Sequence, residues 1–506
     1  MTQWASGLRD NQLSGSNSFK YTASLANLRK LPTQTLAYWA PPGLLRAYET
    51  LPPLEPTYGE VRQGLATGDD ERFLRYWWEV PESEIGEGKR WVPFAKGGDY
   101  SPFYESLLRV IDWEDGGKTV RDFAGSVMRN EKDYFRSGLT YPNICDRFHV
   151  RALERGTIFG HKGSSIFTLH EEVLLAYLNS RVAQALLLVQ SPTRNFEVGQ
   201  VRRLPVPKFT KAQATELAAI AASALASAKR YAGGNELDRR YQRSWSESAV
   251  NANFREAITC AADQRNTLLN SIQEQIDLST RLTSDVLELT SSDWEIIFKT
   301  FGPELRVDEN VKSVGTVSTS MDPLTTIREQ AYRYVSGVIR GLLGTNALLR
   351  EQSLCERAVR IMQRTFTESD LMQEFVDIVG SQPAEWICQE YIAYHTRLHL
   401  GRPRLLCLAS TRRRIVFYTD VLLVTAQDLR DCLATEIHRA ERDGRARLTE
   451  GNAKARRSAV ELLEDVALFR STFNAALGQW NAKCDDCRER IPLFAPLIDY
   501  SLKQLT

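Results

Sequence analysis

RRLPVPKFTKAQATELAAIAASALASAKRYAGG, residues 202–234, marks the change of texture on which the fold class turns. Pro205 and Pro207 stand one residue apart. Each fixes its own φ and keeps the residue before it out of the helical region, so the segment leaves in extended form. Thr210 then offers a hydroxyl to the first turn of an alanine-rich helix, which Gly233 and Gly234 end. Upstream, from about 31 to 210, prolines and glycines are frequent and aromatics dense, with Trp39, Trp77, Trp78, Trp91 and Trp113 among them. Short β-prone runs at 73–80, 90–94, 106–113, 156–159 and 165–169 alternate with Gly-containing turns. One helix is expected over about 171–190, its apolar residues at helical spacing from Val173 to Val189. Trp77, Trp78, Trp91 and Trp113 read as core rather than as a stacking platform, since aromatic side chains dominate burial.

Downstream the pattern is helical, at about 252–290, 323–343, 346–366, 369–379, 426–442 and 454–478. A β-prone pair interrupts it at 404–409 and 414–417. No period of 20–50 residues recurs, which excludes a solenoid. The expected fold class is α+β. A lead-in segment (1–30) precedes a mixed α/β domain (31–210) and a helical domain (211–380). A C-terminal mostly helical region (381–506) carries the β-prone pair.

The 506 residues are 43% hydrophobic and 25% charged, which excludes wholly disordered, collagenous and low-complexity classes. No apolar run reaches the ~18–20 residues that span a bilayer. The opening MTQWASGLRD lacks a basic region followed by an apolar core. The expectation is a cytoplasmic chain with no membrane partner. With 64 basic and 63 acidic side chains the net charge is +1, so any grip on nucleic acid must come from a local basic face. Eight cysteines with one close pair, Cys484 and Cys487, make no disulfide framework and suit reduced thiols.

No phosphate-loop, GxGxxG, HExxH or GxSxG motif occurs, nor an Asn/Asp-Pro-Pro-aromatic tetrapeptide. Residues alone give no active site. Cys484 and Cys487 could supply two zinc ligands, and His395 and His399 two more from one helix face. The two halves lie roughly 85 residues apart, and incidental thiols and histidines are the simpler reading, so no metal is expected. Gly64-Leu-Ala-Thr-Gly-Asp-Asp70 is a Gly-bracketed turn whose amides could face a phosphate, or an ordinary turn between strands. Lys96-Gly97-Gly98 and Gly160-His-Lys-Gly163 likewise set a cation beside glycines. Arg194, Arg202 and Arg203 flank a turn and could join the same face or simply be solvated. Residues 401–460 carry 13 basic and 7 acidic side chains. That local excess suits a phosphate backbone or, equally, a salt-bridged helical surface.

Taken in order, these segments resemble a known family. The stretches are GEVRQGLATGDDERFLRYWWEV (59–80), RWVPFAKGGDY (90–100), LRVIDWEDGG (108–117), YFRSGLTYPNI (134–144), FHVRALERGTIFGHKGSSIF (148–167) and LLAYLNSRVAQALLLVQSPTRNFEVGQVRRLPVP (174–207). Together they resemble the region after the catalytic domain in the PglX-like adenine-specific DNA methyltransferases of BREX phage-defence systems, and in type IIG restriction–modification enzymes. EWICQEYIAYHTRLHLGRPRLLCLAS (385–410) and the segment 461–497 are similar to later elements of that family, although RPRLLCLAS departs from its RPIYWLxSS.

The resemblance implies a target-recognition domain at 31–210 and a helical spacer or clamp after it. Methyl transfer from S-adenosylmethionine would be supplied by a separate catalytic domain or subunit, since this sequence holds neither a Gly-containing cofactor loop nor Asn-Pro-Pro-Tyr; no cofactor is expected in this chain. The expected partners are double-stranded DNA, a methyltransferase catalytic subunit and other phage-defence components. A non-catalytic interaction or decoy role is the alternative. Residues expected at DNA are Thr67, Gly68, Arg72, Lys96, Gly97, Lys162 and Ser164 on phosphates, and Arg194, Arg202 and Arg203 on bases or backbone. A cationic concavity wide enough for a double helix is expected in the first two hundred residues.

Overall fold

The computed structural model describes residues 37, 39–191, 193–241, 253–301, 323–346, 348–367, 370–412, 414–450, 452–479 and 497. The lead-in and the Cys484–Cys487 segment lie outside them.

The chain is an α+β mix. After helix α1 (Pro42–Thr50), eight short strands follow: β1 (Glu60–Arg62), β2 (Leu74–Tyr76), β3 (Trp91–Ala95), β4 (Arg109–Asp112), β5 (Gly138–Pro142), β6 (Arg151–Leu153), β7 (Ile158–Phe159) and β8 (Gly163–Phe167). They form two four-stranded sheets, ordered β1-β8-β5-β6 and β2-β4-β3-β7. The first is antiparallel throughout. The second closes on a parallel β3–β7 pair, with Phe94 opposite Ile158 and Ala95 opposite Phe159. The run expected as one strand over 73–80 is shorter, because residues Trp77–Glu79 turn into a 3-10 helix that buries both indoles.

The helix expected over 171–190 is two: α2 (Glu171–Leu178) and α3 (Arg181–Gln190), bent by 71°. The apolar spacing runs through the break, but Asn179 diverts the backbone. Its Nδ2 donates to the Val150 and Leu175 carbonyls, both at 2.8 Å, and its Oδ1 accepts from Val150 N at 3.0 Å. Ser180 then caps α3 by accepting from Ala183 N.

Beyond lie α4 (Lys211–Gly233), α5 (Phe254–Val286), α6 (Ser291–Phe301), α7 (Pro323–Thr345), α8 (Glu351–Thr365), α9 (Leu371–Val379), α10 (Pro383–Gln389), α11 (Tyr391–Leu398), α12 (Ala426–Glu450) and α13 (Ala453–Gln479). Thr210 and Gln213 cap α4 reciprocally. A small sheet, β10 (Leu405–Ala409), β11 (Val416–Asp420) and β9 (Leu348–Arg350), sits among them. Among the described residues no single helix is long and apolar enough to cross a membrane.

Apolar packing runs across residue 210. Leu217, Ile220 and Ala224 of α4 share a core with Leu174–Leu178 and Val182–Val189. Trp77, Trp78 and Trp91 share another with Phe254, Tyr334 and Trp386 of the helical half. All four tryptophans of the mixed region that were expected in the core, Trp113 included, are buried. A buried core on this scale rests on hydrophobic transfer, so the second sheet is fixed to the helices rather than hung from a linker.

Candidate nucleic-acid interface

Three Gly-containing turns, far apart in sequence, converge. Leu65 N donates to the Phe159 carbonyl at 3.0 Å, and His161 N donates back to the Leu65 carbonyl at 2.9 Å. Gly160 N donates to the Ala95 carbonyl at 2.8 Å. A Cβ at Gly64 would stand 1.9 Å from the Phe159 carbonyl oxygen, so only glycine permits that approach. Gly97 has φ +107° and rests against the Lys162 carbonyl. The glycines therefore serve backbone-to-backbone packing, and this packing brings Lys96 and Lys162 to one place.

That place is an open cleft of about 360 Å³, lined among others by Lys96, Gly97, Glu105, Arg109, Lys162 and Leu400. It is a small-molecule-sized recess, and far short of the concavity expected for a whole duplex. Lys96 Nζ is ion-paired with Asp70. Partial burial pushes the Asp70 carboxyl up, but hydrogen bonds from Lys96 and Thr67 prevail and hold it below its ordinary value. Arg109 lies over the Tyr76 ring, 3.5 Å from its centroid. Tyr76 in turn stacks on Trp78 at 4.5 Å and 5°. Trp78 meets His399 edge-on at 5.2 Å, and its Nε1 donates to the Arg402 carbonyl at 2.8 Å. An aromatic column thus runs from the cleft into the helical half.

Glu105 is the acidic group of the cleft. Burial pushes it up to about 7, against the downward pull of its ion-pair partner Arg151. Arg151 also donates to the Asp99 carbonyl at 2.7 Å and faces His149 Nε2 at 2.9 Å. Burial, and then the charge of Arg151, hold His149 well below the usual histidine range, so it accepts that bond as a neutral ring.

Lys96, Gly97 and Lys162 line the cleft together. Thr67 is buried; its hydroxyl donates to Asp70 Oδ1 at 2.6 Å, and so it orients the carboxylate that holds Lys96. Gly68 (φ +72°) packs against the backbone of Gly125. Arg72 is exposed and lies over the Phe73 and Phe123 rings. Ser164 is fully buried in β8, with its carbonyl accepting from Thr140 Oγ1, and it presents no side chain to a ligand at the surface. Arg194 is 61% exposed and pairs with Asp146 at 2.5 Å. Its neighbour Asn195 bridges to Ile144, which lines the cleft, but Arg194 itself does not line it. Arg202 is turned away, bonding Glu55 at 2.8 Å and the Val61 carbonyl at 3.0 Å; Arg203 beside it is exposed. In the 401–460 cluster, Arg402, Arg404 and Arg412 pair with Glu71, Asp420 and Glu461.

Sequence reasoning missed Arg109, Glu105, Tyr76 and Leu400. Arg109 could have been found at the half-buried start of the strand Arg109–Asp112. Nothing in the sequence around Glu105 or Leu400 signals a cleft.

No family model matches the chain. It is 30% identical over 220 residues to the adenine-specific methyltransferase PglX of Lacticaseibacillus casei (strain Zhang); the match takes in 40% of this chain and 18% of that protein. It is 31% identical over 211 residues to the adenine-specific methyltransferase BrxX of Escherichia coli O9:H4 (strain HS), covering 40% of this chain and 17% of that protein. The matched part is thus less than a fifth of either relative's length. Over two-fifths of its own length, this chain is related to adenine-specific methyltransferases of the PglX and BrxX kind.

Proposed function

We propose that this chain is a DNA-recognition part of an adenine-N6 methyltransferase of a phage-defence system, working with a catalytic domain or subunit that supplies S-adenosylmethionine chemistry. The observation that carries the reading is the convergence of the three Gly-containing turns, which sets Lys96 and Lys162 beside Arg109 in one cleft. Methylating adenine N6 within a duplex requires the base to be flipped into a catalytic pocket, so another part must hold and orient the duplex. A recess of this size does not enclose a duplex. Instead, the backbone would cross its mouth, with phosphates on Lys96, Lys162 and Arg109. Ammonium and guanidinium groups on phosphate fix position and register without reading sequence. The site-reading side chains would then stand on the loops beside the cleft.

The test is fluorescence anisotropy of a labelled DNA duplex with the full chain over a salt series. Support is binding at 50 mM salt whose logarithm falls linearly with log salt. Absence of binding at that salt, with the chain folded, overturns the reading.

A further inference from the structure

We propose that Glu236, His395 and His399 form a binding site for a divalent transition-metal ion, zinc first among them, that ties the loop after α4 to α11. One ligand atom from each of the three lies within 4.8 Å of the other two, and all three residues are buried. The histidines are spaced i, i+4 at the C-terminal end of α11, which sets both rings on one face; their centroids are 3.9 Å apart. Glu236 comes from about 160 residues upstream, in the stretch following α4.

One feature indicates a missing occupant. The Nδ1 of His395 is buried and has no hydrogen-bond partner among the described residues. Buried polar atoms are rarely left so. The donor set suits a borderline metal, namely two imidazoles, one carboxylate and a position left for water. His399 Nδ1–H donates to the His395 carbonyl at 3.0 Å, which leaves Nε2 as its ligand atom. Leu405 N donates to His395 Nε2 at 3.4 Å, so coordination through Nδ1 moves the ring proton to Nε2 and gives up that long contact.

Glu236 is shared. Ser336 Oγ lies 2.9 and 3.0 Å from its two oxygens, and Arg340 3.4 Å from Oε2. A carboxylate has about four acceptor positions, so these contacts leave one for the metal. The charge of Arg340 opposes a cation, so the site should be weaker than a Cys-rich zinc site and open to competition by chelators. Zinc–ligand distances of about 2.0–2.2 Å require the three groups to close slightly from their present spacing.

The test uses untagged full chain and inductively coupled plasma mass spectrometry. The expected result is about one zinc per chain, retained in Cys484→Ser/Cys487→Ser and lost in His395→Gln/His399→Gln. Cobalt(II) added to the metal-free wild-type chain should give visible d–d absorption without thiolate charge-transfer bands, a readout that does not depend on the variant folding. Metal-free protein whose spectrum does not respond to cobalt overturns the proposal, as does a thiolate signature or zinc retained in the folded histidine variant.

Discussion

Replacing Lys162 by alanine removes one exposed cation of the cleft, and its effect can be worked out in advance. Each phosphate neutralised releases counterions, giving a slope of about −0.9 in log K against log salt. Referred to ~1 M salt, one such contact is worth about fifteen-fold in affinity at 50 mM and about four-fold at 200 mM. Lys162→Ala should therefore bind duplex DNA about fifteen-fold more weakly than the parent at 50 mM, and its slope should be shallower by about 0.9. Lys96 differs because Asp70 already holds it. Asp70→Asn keeps an acceptor for Thr67 but frees the ammonium, so it should strengthen binding and steepen the slope by up to about 0.9. Anisotropy titrations from 50 to 200 mM salt read both effects, with circular dichroism to confirm folding. A Lys162→Ala slope equal to that of the parent, or weaker binding by Asp70→Asn, would refute the placement of phosphates in this cleft.

Glu105, pushed up to about 7 by burial, is protonated on the acid side of that value and charged above it. DNA binding should weaken between pH 6 and pH 8. The loss is about two-fold to about sixteen-fold, for a phosphate about 10 Å away at an effective dielectric between about 80 and about 20. Glu105→Gln should remove this pH dependence, and a wild-type profile that rises with pH would contradict it. The same proton is held by the folded chain and not by the unfolded one between the ordinary glutamate value and about 7. Stability should therefore fall as pH rises through that window, as urea midpoints would show. Gly64→Ala puts a Cβ 1.9 Å from a carbonyl oxygen and should cost about 3 kcal/mol or more, because backbone cannot yield as a side chain can; a midpoint like the parent's would show that the turns do not pack so closely. Trp78→Phe removes the bond to the Arg402 carbonyl and should cost about 1–2 kcal/mol in urea unfolding, whereas an unchanged midpoint would mean that the contact is not made in solution.

The switch from mixed to helical texture was legible because Pro205, Pro207 and Thr210 act through local backbone chemistry. The break at Asn179 was not, since its cause is a hydrogen bond to Val150 on a distant segment. Strands β1, β5 and β6 escaped notice for a related reason. They are three to five residues long, and Gly138 and Pro142 give β5 the look of a turn. Each Gly-containing turn could be recognised by itself, but their meeting depends on the β3–β7 register, which no spacing along the chain encodes. Burial separated Thr67 and Ser164 from the lysines although all share the same motifs. Glu236 carries no motif, and hydrogen bonds from Ser336 and Arg340 on α7 set it by the histidines.

The column Arg109–Tyr76–Trp78–His399 has a mechanical consequence. Flat stacking resists tilt, and the edge of one indole bears on an imidazole that belongs to the far half of the molecule. Any event that locks this imidazole stiffens the floor on which a guanidinium rests, and any event that frees it lets that floor rock. A perturbation deep among the helices would then reach a surface recess without the backbone shifting between them, and Trp78, at the joint, would report it through its emission.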